Sequence, residues 1–141
     1  MKTISLPLLV AIFLTATSVA AEPVETEIDS VTAEVVELRT SGGVTRLAVR
    51  FINSGSKHAE ATHYSVGKIV LVDVKSKQKH LPLKDASGYY IGGPIGDTTL
   101  DGGRIYVVLE AGQQGVVWAY FDALPAGTVV SVEVPQMFPF E

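Results

Sequence analysis

The sequence predicts an all-β domain, two antiparallel sheets packed as a sandwich of about seven strands. Three observations carry that prediction. Beyond residue 21 the apolar positions recur with a period of two, as they do along strands with one buried face. Turn chemistry interrupts them at intervals of roughly eight to twelve residues. No stretch shows the apolar stripe of a surface helix.

Residues 1–21 stand apart from this pattern. Lys2 gives a short positive start, residues 4–16 form an almost unbroken apolar run, and Ser18-Val19-Ala20 or Val19-Ala20-Ala21 supplies the small residues that a signal peptidase accepts. The run is too short and too weakly flanked for a membrane span. It is therefore read as a cleavable export signal, which places the mature protein in the periplasm or outside the cell. Residues 22–29 follow as an acidic leader with Pro23, expected to be extended or mobile.

The first strand is expected over 30–40, ending at Ser41-Gly42-Gly43. Residues 44–53 then alternate, with Thr45, Leu47, Val49 and Phe51 on one face and Arg46, Ala48 and Arg50 on the other, a half-buried strand with a wet side. Asn53-Ser54-Gly55 closes it, and 56–65 is a polar connection carrying His58 and His63. Residues 66–75 are apolar on both faces and are expected as a strand near the centre of a sheet. Residues 77–83 return as its hairpin partner, on an edge because Pro82 lacks a ladder donor. Residues 84–103 are rich in Gly and have no periodicity. Strands over 104–110, 115–122 and 128–134 complete the set, joined by Ala111-Gly112-Gln113-Gln114 and Leu124-Pro125-Ala126-Gly127.

About 120 residues after the leader suffice for one domain, residues 30–141, burying roughly two thirds of the surface of its unfolded chain. With so many short strands, the economical layout is an immunoglobulin-like Greek-key sandwich. The competing exported all-β architecture is an outer-membrane barrel, which needs strands of roughly nine to eleven residues and aromatic girdles. The later strands are too short for that, and the chain closes on Phe138-Pro139-Phe140-Glu141 rather than on a strand ending in an aromatic.

Without residues 1–21 the chain carries 10 Lys and Arg against 15 Asp and Glu, a net charge of −5. That acidity argues against nucleic acid or an anionic membrane as partner, since both are met by a clustered basic face. The basic cluster at Lys75, Lys77 and Lys79, with Lys84 beyond, reads as a solvated turn that blunts a strand edge. Cysteine is absent, which removes disulfides, a lipid-anchored N-terminal Cys, thiolate metal sites and a Cys nucleophile.

Three groups of residues carry a resemblance. They are Leu71-Val72-Asp73 with Lys79-His80-Leu81-Pro82-Leu83-Lys84-Asp85 and Gly88; Trp118 with Phe121, Leu124, Pro125, Ala126 and Gly127; and Val132-Glu133-Val134-Pro135 with Pro139-Phe140-Glu141. Over residues 31–141 the chain resembles the immunoglobulin-like sandwich modules of exported bacterial proteins, found alone or ahead of peptidoglycan-binding OmpA-like domains. More distantly it is similar to the mycobacterial immunoprotective secreted antigen. The resemblance implies a fold, a compartment and an envelope-associated or secreted role. It supplies no catalytic residues.

Candidate chemistry is sparse. His58 and His63 share a loop at a spacing of five, which puts two ligands neither on one helix face nor on one strand face, and His80 sits on the expected edge strand. No Gly-x-Ser-x-Gly elbow is present. Asp97, Thr98, Thr99 and Asp101 offer oxygens for calcium, but without the EF-hand order. Gly92-Gly93-Pro94-Ile95-Gly96 lacks the strand-to-helix setting of a phosphate cradle. We therefore expect no enzyme, no metal and no cofactor.

Recognition is better represented. The long segment 84–103 places Tyr89, Tyr90 and Ile91 among Gly and Asp, the adaptable aromatic composition that binding loops use. Phe138 and Phe140 of the tail either cap the sandwich or form an exposed patch. The expected partner surface is thus Tyr89, Tyr90, Ile91, Asp97, Asp101, Phe138 and Phe140, and the expected role is binding of another envelope or extracellular macromolecule, with no membrane insertion. Trp118 is expected in the core or on a sheet surface. A small-ligand or calcium-binding sandwich and a plain spacer domain are the other two readings.

Overall fold

The computed structural model describes residues 22–60, 64–97 and 104–135, with the side chains of 64 and 95–97 left out. Residues 1–21, expected as an export signal, and His63, Asp101, Phe138 and Phe140 lie outside the described residues. The strands are β1 (Val24–Glu25), β2 (Val31–Ser41), β3 (Val44–Asn53), β4 (Ala59–Glu60), β5 (Tyr64–Ser65), β6 (Val70–Asp73), β7 (Lys79–His80), β8 (Gly92–Gly93), β9 (Ile95–Asp97), β10 (Arg104–Ile105), β11 (Val108–Leu109), β12 (Gln114–Asp122) and β13 (Val130–Glu133). All pairings between them are antiparallel, and the sheets do not close into a barrel.

One sheet dominates, with strand order β1-β2-β3-β12-β8. Its centre is β3, whose alternation fixes the two faces. Thr45, Leu47, Val49 and Phe51 point inward and are buried, opposite Val31, Ala33 and Val35 of β2 and Val117, Ala119 and Phe121 of β12. The core is completed by Val66, Ile69 and Leu71, by Ile105, Val107 and Leu109, and by Val130, Val132 and Val134, contributed by the β13-β6-β7 sheet and the short ladders β5-β10-β9 and β11-β4. Burial of each valine, leucine, isoleucine and phenylalanine among these is worth about 1.5–3 kcal/mol.

Local chemistry explains the shape of the main sheet. Gly42 and Gly43 both have positive φ, +61° and +83°, the conformation a two-residue hairpin turn demands, and so β2 and β3 pair in register up to Ser41 and Val44. A bulge at Val36 shifts that register, so inward positions in β2 change from Val31, Ala33 and Val35 to Leu38 and Thr40. The Thr40 and Thr45 hydroxyls then meet at 2.7 Å, and buried Thr45 Oγ1 also accepts from the Leu124 N–H at 3.0 Å, tying the β12–β13 connection to the sheet.

Several expected strands are revised. Residues 66–68 form a 3-10 turn, because the Ser65 hydroxyl accepts from Gly67 N–H and Val66 C=O accepts from Ile69 N–H, so the strand expected over 66–75 is confined to β6. β6 is nevertheless the central strand of its sheet, and β7, shorter than expected, is on the edge. The 104–110 strand is split into β10 and β11. Segment 84–103 is far from structureless: it contains β8 and β9, and Lys84 bridges to Tyr90. The acidic leader also carries structure. Val24 and Glu25 pair with Ala33 and Thr32, and Thr26 Oγ1 donates to Val31 C=O at 2.8 Å.

Asn53, read from the sequence as a turn residue, is a buried polar knot. Its Nδ2 lies 2.8 and 3.1 Å from the carbonyls of Lys57 and Leu109, and its Oδ1 accepts from Gly55 N–H at 3.0 Å. A buried amide is tolerated because both its donors and its acceptor are used.

Candidate functional site

The expected loop residues separate in space according to what their neighbours allow. Asp85 nucleates a tight turn, its Oδ1 accepting from the N–H groups of Ser87 and Tyr89 at 2.8 and 3.0 Å. Tyr90 folds inward against the core, and its ring fits because residue 67 is glycine: a Cβ there would come within 2.4 Å of the ring. Lys84 Nζ covers the same ring at 4.6 Å from its centroid. Tyr89 is exposed at the tip of this hairpin and Ile91 is half-buried in its stem. Asp97 is the last residue of β9, in register with Arg104.

The hairpin stem leads to a surface that sequence reasoning did not single out. Leu83 N–H donates to Tyr120 C=O at 2.7 Å and Tyr120 N–H donates to Ile91 C=O at 3.1 Å, so the stem lies along the β12 edge of the main sheet. Directly opposed residues of antiparallel strands share a face. The register therefore arranges the outward face in rows across the sheet: Arg39, Arg46 and Tyr120; Glu37, Ala48, Trp118 and Gly93; Glu34, Arg50 and Val116.

Trp118 is the centre of this face. The small side chain of Ala48 lies to one side and Gly93 to the other, where an added Cβ would meet the indole at 2.9–3.1 Å. Tyr120 packs edge-on against the indole, with centroids 5.7 Å apart and planes at 78°. The adjacent glycine does the opposite service inside, where a Cβ on Gly92 would lie 2.6 Å from Val66 Cγ1. Around the half-buried aromatics, Arg46 pairs with Glu37 and Arg50 Nη1 with Glu34 Oε1 at 2.8 Å. A shallow depression of about 290 Å³ is bounded by Glu37, Arg39, Ser41, Val44, Arg46 and Tyr120.

The two described histidines lie on different segments. His58 lies at the opposite end of β3, its Nδ1 3.1 Å from Glu110 Oε1 and its Nε2 3.5 Å from Glu60 Oε1, and these carboxylates, Glu110 first, hold its pKa above the usual imidazole value. His80 is on β7. The two carboxylates flank opposite edges of the His58 ring, and among the described residues no three His, Cys, Asp or Glu side chains are grouped to hold a metal ion. In the Lys75–Lys79 turn, Asp73 Oδ1 accepts from the N–H groups of Lys75 and Ser76 at 2.8 and 2.9 Å, and the Ser76 bond leads in lowering its pKa. This is the chemistry of a turn. No described helix is long and apolar enough to cross a membrane.

No family model, no curated protein and no solved structure matches this chain. The resemblance to immunoglobulin-like modules therefore rests on the residues quoted for it.

One signal for the outward face was legible. The wet side of β3, with Arg46, Ala48 and Arg50, was visible in its alternation; the partners it acquires from β2 and β12 depended on register.

Proposed function

We propose that this protein is an exported, non-enzymatic binding module with an immunoglobulin-like sandwich fold, and that it engages an envelope or extracellular macromolecule through the outward face of its main sheet. The observation that carries this reading is the half-buried Trp118 and Tyr120 pair, with Trp118 set between Ala48 and Gly93 and two arginine–glutamate pairs alongside on β2 and β3. Rigid aromatics supply contact area at little entropic cost, and ion-paired arginines keep their remaining donors directed outward. The hairpin bearing Tyr89 stands beside this face and widens it. The leader-like residues 1–21 support export.

Amide chemical-shift mapping of the folded domain, titrated with a solubilised cell-envelope fraction, tests the reading. Perturbations are expected on Arg46, Ala48, Arg50, Trp118 and Tyr120 and at Tyr89. Perturbations confined to the β13-β6-β7 sheet, or none, refute it.

A further inference from the structure

Building on that reading of the outward face, we propose that the depression beside Tyr120 binds a carboxylate-bearing sugar of an acidic glycan, with Arg39 as the cation that holds the carboxylate. Arg39 and Arg46 are directly opposed across β2 and β3, on the same face, and both bound the depression. Only one of them is neutralised. Glu37 is engaged with Arg46, and Glu34 with Arg50, whereas Arg39 is exposed and has no ion-pair partner among the described residues. An anion beside Arg39 supplies the counter-charge that Arg46 already has in Glu37, and it is met by the forked donors that suit a carboxylate.

The remaining chemistry of the depression selects a sugar. Ser41 and Tyr120 bring hydroxyl groups that can donate and accept, matching ring hydroxyls, and Glu37 adds an acceptor. Tyr120, at the rim of the depression, also packs edge-on against Trp118, which puts aromatic rings able to stack on the apolar face of a pyranose next to it. Arg39 lies two strands from Tyr120, about 10 Å at the usual strand spacing. That span accommodates a short oligosaccharide with its acidic unit over β2 and its next ring over the aromatics.

Trp118 is the only tryptophan of the chain and lies within this surface, so its fluorescence reports occupancy. The full chain without its leader is titrated with trigalacturonic acid, with the methyl ester of the same trisaccharide, and with triglutamate at equal ionic strength. A saturable change with the acid is expected, weakened about tenfold or more by esterification and by Arg39→Gln, the usual cost of a lost charged hydrogen bond. Lys75→Gln removes the same charge from the opposite sheet and is expected to leave the titration unchanged.

Equal binding of acid and ester, or an Arg39→Gln variant that binds like the parent, overturns the carboxylate assignment. Equal binding of triglutamate overturns the sugar and makes the site one for acidic peptides. Silence of Trp118 towards all three probes, while the envelope fraction still perturbs this face, overturns this inference and leaves the proposed function standing; silence towards the envelope fraction as well removes both.

Discussion

The two faces of the main sheet are built by the same strands, yet they solve opposite problems. Inside, Thr45, Leu47, Val49 and Phe51 of β3 meet Val117, Ala119 and Phe121 of β12 with almost no residual exposure. Outside, Arg46, Ala48 and Arg50 meet Val116, Trp118 and Tyr120, where the aromatics keep part of their surface in solvent and Glu34 and Glu37 are each paired with an arginine. The lesson is that period-two alternation distributes roles as well as hydrophobicity: the inner residues stabilise, and the outer ones are free to recognise.

The sharpest test of that division compares two aromatics three positions apart. Phe121→Ala removes a fully buried ring and is expected to cost about 3–5 kcal/mol. Trp118→Ala removes a larger ring that is only half-buried and is expected to cost about 1–2 kcal/mol, with loss of binding to the face. Chemical denaturation of both variants decides it. A Trp118 variant as unstable as the Phe121 variant would make the indole part of the core.

The neighbouring glycines sharpen the comparison. Gly92→Ala places a methyl group 2.7 Å from the Trp118 carbonyl oxygen and 2.6 Å from Val66 Cγ1, where backbone and core must both yield. A loss of about 2–3 kcal/mol is expected, as for other overpacked interiors. Gly93→Ala meets the indole at 2.9 Å, and that ring has solvent on its outer side into which it can shift. Its cost is expected to stay near 1 kcal/mol, accompanied by a change in the Trp118 emission spectrum. Equal melting temperatures for the two variants would erase the distinction between the faces.

The smallest effect concerns charge that neither face buries. His58 is exposed between Glu110 and Glu60, which raise its pKa in the folded protein above the unfolded value of 6.5. The imidazolium therefore favours the fold below pH 6.5, and the contribution is lost as pH rises through the higher folded value. NMR titration of the His58 ring is expected to give a midpoint above 6.5, and His58→Gln is expected to flatten a slight fall in melting temperature over the same interval. A midpoint at or below 6.5 would show that solvent screens the two carboxylates completely.

The strands β2, β3 and β12 were legible because each alternates over enough residues to declare a buried face, and the Gly42-Gly43 turn declared the hairpin between the first two. Segment 84–103 was not legible. Its short strands β8 and β9 draw their pairing from β12 and β10 rather than from any pattern of their own. Tyr89 and Tyr90 are neighbours of the same type, and it is Tyr90 whose ring takes the space left by Gly67. Asn53 looked like a turn former because its burial depends on carbonyls from Leu109 and Glu110, more than fifty residues away.

By itself, then, the sequence determined the all-β class, the polarity of β3 and the absence of thiol chemistry, since alternation and composition are local properties that no partner can alter. The tertiary structure decided which outward residues stand side by side. Register between strands far apart in the chain sets Trp118 opposite Ala48 and Gly93 and aligns Arg39 with Arg46 and Tyr120. A one-residue slip in any of these pairings would send each side chain to the other face, and the energy that forbids the slip comes from the buried side of the sheet.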